Sequence, residues 1–391
     1  MYLNAHINTA LHIIKQYDGQ LPLAHYLKQY FAANKKHGSK DRKNISHLCY
    51  CWYRLGRALK VKEVESSERI KVALFLCTEE LKSWASLFDN DWPVSGPLSL
   101  VEKIDFIRQQ FPSLNSDDIF QFSDHLSEGI NKQQFCLSHL IQPDLFIRIR
   151  PGYENKVMSV LDQQSISNIR IDKNCIALPN ATKIETLFDI NREIVVQDYS
   201  SQRISEFLQI IPENKQPVKV WDCCAASGGK SLLARDTLSA IDLTVSDIRP
   251  SIIHNLKQRF SEAGLKHYHS FVADISKPLN VSLQFDLIIC DAPCSGSGTW
   301  GRTPEQLYFF REEKINEYTS LQKKIVSNAI PHITDKGYFL YITCSVFDKE
   351  NEDVVKYITQ NFNVEIIKTE ALKGYDKKAD TMFAALFKKV V

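Results

Sequence analysis

The 391 residues, 44% hydrophobic and 24% charged, have the size and make-up of a soluble protein of two or three domains. The longest apolar runs, FDLIIC and GYFLYIT, are strand-sized, which excludes a membrane-spanning helix. A net charge of +2 demands no polyanionic partner by itself, yet the charge is unevenly spread. Residues 1 to 60 hold ten Lys or Arg against two acidic residues, a balance of +8, so the remainder of the +2 chain sits at −6. That asymmetry points to a polyanion at one end, a solvated helix surface being the plain alternative.

Residues 1–130 read as a helical region. Leu and aromatic residues recur at three and four positions in LAHYLKQYFAA and ISHLCYCWYRLGRAL, the helical period. Ser39 before DRKN is the expected N-cap, and Trp92-Pro93 and Gly96-Pro97 interrupt the pattern. The N-terminal MYLNAHINTALHIIKQ lacks the basic start and unbroken apolar core of a secretory signal. Ten cysteines are scattered without a CxxC pair or a zinc-type His spacing. They suit free thiols in a reducing cytoplasm, with no metal expected.

Residues 131–205 change period. LFIRIRP alternates as a strand, YENKVMSVLDQQ as a helix, and NIRIDKNCIAL returns as a strand. This is the outline of a small ferredoxin-like or RRM-like α+β subdomain, a type that often binds RNA. Arg148 and Arg150 share one strand face, either for RNA or simply at an exposed sheet edge.

From residue 206 to 391 strands alternate with helices: VKVWDCC, IDLTVSD, SFVAD, FDLIICD and GYFLYITC between PSIIHNLKQRF, YTSLQKKIVSNAI and ENEDVVKYITQNF. The pattern predicts a doubly wound, Rossmann-like α/β sheet, with VEIIKT and TMFAALFKK as two closing strands. Ligands of such sheets gather at the carboxyl ends of the strands. Asp222, Asp247, Asp274 and Asp291 fall at or near those ends.

The loop VWDCCAASGGKSLLA looks like a nucleotide loop ending in Lys230-Ser231. A triphosphate loop needs GxxxxGK[ST], and aligning on Gly229 puts Cys224 where the first Gly must fold the backbone around a phosphate. A nucleoside site fits better. The small residues Ala225, Ala226, Ser227, Gly228 and Gly229 admit a ligand close to a helix N-terminus. Asp247 can accept both ribose hydroxyls and Asp274 an adenine amino group. With no pyrophosphate fingerprint, that set suggests S-adenosylmethionine.

Two cysteines lie just past strand ends, Cys294 in DAPCSGSGTWGRTPE and Cys344 in YITCSVFDKENED. Carbon 5 of cytosine becomes nucleophilic when a thiolate adds to carbon 6, so a thiolate is the covalent catalyst that cytosine-5 methylation calls for. Either cysteine alone reads as a buried structural thiol.

The set DCCAASGGKS, SDIRPS, DAPCSGSGTWGRTPE and YITCS resembles the RNA (cytosine-5) methyltransferases of the Fmu/RsmB type. VQDYSSQ and PDLFIRIRP are similar to that family's segments before the catalytic domain, and GSKDRKNISHLCYCWYR to the NusB-like helical domain of its ribosomal-RNA members. The resemblance implies Cys344 as nucleophile and Cys294 as the group that assists release. It implies cofactor contacts from Cys224 to Lys230 and from Asp247, Asp274 and Asp291, with Asp291 and Lys230 near the reacting centre. It also implies an RNA partner, ribosomal RNA first and tRNA second, for a cytoplasmic enzyme expected to be a monomer with no membrane partner. Rival readings are a non-catalytic RNA-binding assembly factor and a DNA cytosine methyltransferase, in which the Cys294 position would be the nucleophile. Ser227 stands where the family usually has Pro, Arg150 where it has Asn, and KADTMFAAL replaces a DGFF-type ending.

Overall fold

The computed structural model describes residues 2–60, 62, 64–212, 217–279 and 283–390. The chain divides into two compact units, Met1–Asp124 with Asn131–Gln142 and Thr299–Arg311, and His125–Ile130 with Pro143–Gly298 and Glu312–Val391.

The first unit is helical, with long helices Tyr2–Gln16, Leu23–Ala33, Ser39–Arg54, Ser66–Cys77 and Leu100–Gln110. Ser39 is the first helical residue rather than the cap. Gly38 precedes the helix in extended conformation, and the Asp41 carboxylate accepts its N–H at 3.0 Å. An aspartate three residues into the helix therefore closes the cap by accepting the Gly38 N–H, a different donor from the first-turn N–H that a serine cap would accept. Arg69 is fully buried, stacked 4.0 Å from the Trp52 ring and donating to the carbonyls of Leu59, Trp52 and Gly56. The segment Thr299–Arg311 is built into this unit. Trp300 packs against Phe120, Phe122 and Phe310, and the buried Glu305 carboxylate accepts the Leu23 N–H at 3.0 Å.

The second unit holds two sheets. The smaller contains β1 (Leu145–Ile149), β2 (Ile169–Arg170), β3 (Cys175–Leu178) and β4 (Ile194–Val196) in the antiparallel order β2-β3-β1-β4. Helix Glu154–Gln163 follows β1, while a short 3₁₀ turn, Ile184–Thr186, occupies the β3–β4 connection. Arg148 and Arg150 do not face solvent as an open edge or an RNA surface. Both guanidinium groups converge on Asp236 of helix Gly229–Thr237, at 2.6 and 2.8 Å, and Arg148 is buried. Arg150 also donates to the carbonyls of Asn191 and Ala263. Their shared strand face is packed inside the unit, and a buried cation needs such partners.

The larger sheet contains β5 (Val218–Asp222), β6 (Ile241–Asp247), β7 (His269–Val272), β8 (Phe285–Asp291), β9 (Ile333–Thr343), β10 (Val364–Leu372) and β11 (Met382–Lys389). The order is β10-β11-β9-β8-β5-β6-β7, parallel from β7 to β9 and antiparallel at β11 and β10. Alternate residues feed two apolar layers: Val220, Leu243, Ile289 and Leu340 on one face, Trp221, Ile288, Cys290 and Tyr341 on the other. Burial on both faces explains why these strands read as nearly continuous apolar runs. The two C-terminal strands form a hairpin-like pair against β9, which is why no helix separates VEIIKT from TMFAALFKK.

Candidate active site

The loop after β5 turns sharply through Ala226 (φ 45°) and Gly228 (φ 80°) before helix Gly229–Thr237 begins. Only glycine suits position 228, since a Cβ there would stand 2.4 Å from the Phe260 ring. The Ala225 N–H donates to the Ser246 carbonyl and the Ala226 N–H to the Asp247 carboxylate at 3.1 Å, which ties this loop to the end of β6. Ser227 does not leave the loop loose. Its hydroxyl accepts from Arg259 at 2.9 Å, a bond a proline could not make.

Asp247 is buried beside the exposed Arg249 side chain, which reaches both carboxylate oxygens at 3.0 and 3.2 Å. Burial opposes its charge, but the hydrogen bonds from Arg249 and the Ala226 N–H hold the carboxyl below its ordinary range. Asp274 accepts the Ser276 hydroxyl and N–H on one oxygen, at 2.6 and 3.1 Å, while the other lies 3.4 Å from the mostly exposed Lys277 amine. The first oxygen thus acts as a local turn cap, and a ligand would meet the second. Lys230 donates to Ser201 at 2.9 Å and to Asp291 at 3.1 Å, joining the glycine loop, the VQDYSSQ segment and the end of β8.

Asp222 is fully buried. Its Oδ2 accepts from Ser231 at 2.6 Å, and among the described residues Oδ1 has no hydrogen-bond partner. Burial lifts this carboxyl to about 7.

Cys294 and Cys344 come from the loops after β8 and β9, and their sulfurs lie 3.2 Å apart. The hydrogen bond to Cys344, with burial second, raises the Cys294 thiol well above its ordinary range. A buried carboxylate missed in the sequence holds the two loops together. Glu350 accepts from the Ser295 N–H at 2.9 Å, the Ser345 hydroxyl at 2.7 Å and Gln322 at 3.0 Å. Gly298 donates to the Cys344 carbonyl and accepts from Thr381, so near that a Cβ would fall 1.9 Å from the Thr381 carbonyl oxygen. This contact, with the Ser200 hydroxyl on the Asp380 carbonyl at 2.7 Å, is what the KADTMFAAL ending does here.

A pocket of about 490 Å³ gathers Cys224, Ala226, Asp247, Asp274, Asp291 and Cys294. Lys230 and Cys344 adjoin it through Asp291 and Cys294. Ala225 is buried in the core, and Gly228 and Gly229 shape the turn without lining the cavity. Apolar walls not foreseen are Ile248, 55% exposed at the tip of SDIRPS, with Ile275, Leu321 and Ile325. An isoleucine exposed beside a strand-end aspartate is the one signal that could have marked the ring-binding wall.

Residues 206–387 match the family model described as 16S rRNA methyltransferase RsmB/F. This part of the chain resembles an RsmB/F-type methyltransferase domain. Similar curated proteins include the probable ribosomal RNA small subunit methyltransferase B of Bacillus subtilis, 28% identical over 58% of this chain and 52% of that one. Ribosomal RNA small subunit methyltransferase B of Proteus mirabilis is 27% identical over 55% and 51%, and that of Cronobacter sakazakii 36% over 42% and 37%. The chain spans about half the length or less of these relatives. Among solved structures, PH0851 superimposes with a TM-score of 0.68 at 18% identity, over 99% of this chain and 98% of that one. NSun6 from Pyrococcus horikoshii with SFG gives 0.58 at 12% identity, over 69% and 97%. At such identities the likeness establishes the fold alone, and that fold is Rossmann-like.

Proposed function

We propose that this chain is an S-adenosylmethionine-dependent RNA methyltransferase that forms 5-methylcytosine, with ribosomal RNA as its substrate. The observation that carries the reading is the pair of sulfurs 3.2 Å apart on the rim of the nucleoside-sized pocket, because binding alone requires no thiol pair. The pocket suits the cofactor: its volume is in the ligand-binding range, and the strand-end carboxylates of Asp247 and Asp274 line it where they would meet a nucleoside. Asp247 would hold the ribose, Asp274 the adenine, and the Cys224 to Lys230 loop the amino-acid end. When bound, S-adenosylmethionine supplies an electrophilic methyl group.

The target base must leave its stack to reach the sulfurs. Cys344 adds as a thiolate to carbon 6, making carbon 5 nucleophilic toward the methyl group. Cys294, having given its own proton to solvent, takes the carbon-5 proton as a thiolate while the Cys344–carbon bond breaks. The two thiols thus act in sequence rather than interchangeably. Lys230 and Asp291, ion-paired at 3.1 Å, would order the cofactor and base.

RNA as partner is supported by the N-terminal charge. Nine of the ten Lys or Arg in residues 1–60 are exposed, Arg54 alone being buried, and Lys35, Lys36, Lys40, Arg42 and Lys43 crowd one stretch. Bisulfite sequencing of total RNA from cells with and without the protein tests the whole reading. Loss of one cytosine mark in small-subunit ribosomal RNA is the expected result, a lost tRNA mark would move the substrate, and no lost mark would overturn the reading.

A further inference from the structure

Three cysteines that the proposed methyl transfer does not use for covalent chemistry converge beneath the same pocket. Cys223 follows β5, Cys290 is the penultimate residue of β8, and Cys224 is next along the chain from Cys223. Their three sulfurs lie within 4.8 Å of one another. The β5–β8 register, Asp222 beside Ile289, sets Cys223 and Cys290 in one apolar layer with Trp221 and Ile288. Cys223 and Cys290 are fully buried, whereas Cys224 is half-buried and lines the pocket.

We propose that Cys223, Cys224 and Cys290 form a binding site for a soft, thiophilic cation of the Zn²⁺ or Cu⁺ type. Thiolate is the ligand that selects such ions over the hard, oxygen-seeking ones. Sulfurs held about 2.3 Å from a tetrahedral Zn²⁺ stand about 3.8 Å from each other, so the three sulfurs need to close by no more than about 1 Å. Three S–H bonds are exchanged for three sulfur–metal bonds, and the three protons leave to solvent. The path in runs through the pocket, which Cys224 lines. The fourth position faces that pocket. Spacing rules for zinc look along one segment, and here the ligands come from two neighbouring strands, which is why the sequence pattern is silent.

Cd²⁺ is the probe, because its bonds to thiolates absorb in the ultraviolet. The reduced full-length protein is titrated without oxygen, and affinity is read by competition with a chelator. Cys294 and Cys344 are a rival sulfur pair, so the decisive background is Cys294→Ala/Cys344→Ala. One tightly bound Cd²⁺ per chain is expected to persist there. Adding Cys290→Ala is expected to weaken it at least about 100-fold, thermal melting showing that the variant is folded. Should that variant not fold, Cys223→Ala in the same background carries the same expectation. Loss of the absorption band in the Cys294→Ala/Cys344→Ala protein, or undiminished affinity after removal of Cys290 or Cys223, would overturn the site.

Discussion

The Cys294 sulfur stands 3.2 Å from that of Cys344, although fifty residues separate them in the chain. The pairing is a consequence of parallel strands: β8 and β9 are neighbours, Cys294 lies three residues past the end of β8, and Cys344 directly follows β9. The hydrogen bond to Cys344 raises the Cys294 thiol above its ordinary range. With Cys344 proposed as the nucleophile and Cys294 as the release group, the two residues make opposite predictions when removed.

Removing the nucleophile prevents a tether to RNA, whereas removing the release group preserves it. Cys294→Ala is therefore expected to accumulate a protein–RNA complex that survives denaturing electrophoresis, and Cys294→Ala/Cys344→Ala to lose it. Cys344→Ala should bind cofactor nearly as well as the parent and transfer no methyl group. A gel with methyl-labelled cofactor and cognate RNA reads all of these. Trapping in Cys344→Ala instead would exchange the roles, and slow turnover of Cys294→Ala without adduct would make Cys294 a packing residue.

Asp247 is the strand-end carboxylate most firmly built into the pocket, but Arg249 occupies both its oxygens. Ribose binding requires the exposed Arg249 side chain to swing aside. Asp247→Ala is expected to weaken S-adenosylmethionine by roughly 1.5–3 kcal/mol, the scale of hydrogen bonds to a charged group. Calorimetric titration with S-adenosylmethionine and with ATP checks this. Tight magnesium-dependent ATP binding with no response to S-adenosylmethionine would return the loop to a triphosphate site.

Glu350 touches neither sulfur, yet it fastens the residue after each of them, Ser295 and Ser345. Burial raises its carboxyl above the ordinary range, and an amide of the same size keeps one accepting oxygen for these donors. Glu350→Ala leaves buried donors unmatched, at a cost of about 1–3 kcal/mol. It should also slow adduct formation by about 10–100-fold, because a small displacement of reacting atoms is that expensive. Glu350→Gln should restore most of the rate. Equal losses in both variants, or a lower melting temperature with an unchanged adduct rate, would assign Glu350 a purely structural part.

Local pattern carried the large sheet and the cysteine loops into view, because both depend on neighbouring residues. FDLIICD reads as a doubly buried strand without help from the rest of the chain. Arg148 and Arg150 did not, since what they face is Asp236, brought from more than eighty positions away. Glu350 was equally hidden: a glutamate in DKENED looks like a solvated turn until the Ser295 and Ser345 loops and the helix carrying Gln322 fold onto it. The cap at Gly38 went astray for a smaller reason, a competition between Ser39 and Asp41 that sequence alone does not rank.

Asp222 makes stability depend on pH in an unusual direction. Its folded carboxyl titrates at about 7, against an ordinary value of 3.8. Between those values the folded chain holds a proton that the unfolded chain has released, so this group's contribution is greatest below 3.8 and declines as pH rises to about 7. Above 7 both states are ionised and the decline stops. Asp222→Asn mimics the protonated acid, keeps an acceptor for Ser231, and cannot titrate. Its melting temperature should match the parent near pH 4 and exceed it increasingly toward pH 7, by about 2–4 °C per kcal/mol for a unit of this size. Melting curves of both proteins across that interval provide the measurement. Parallel curves would mean that Asp222 is ionised in the fold throughout, with a partner for its second oxygen supplied by solvent.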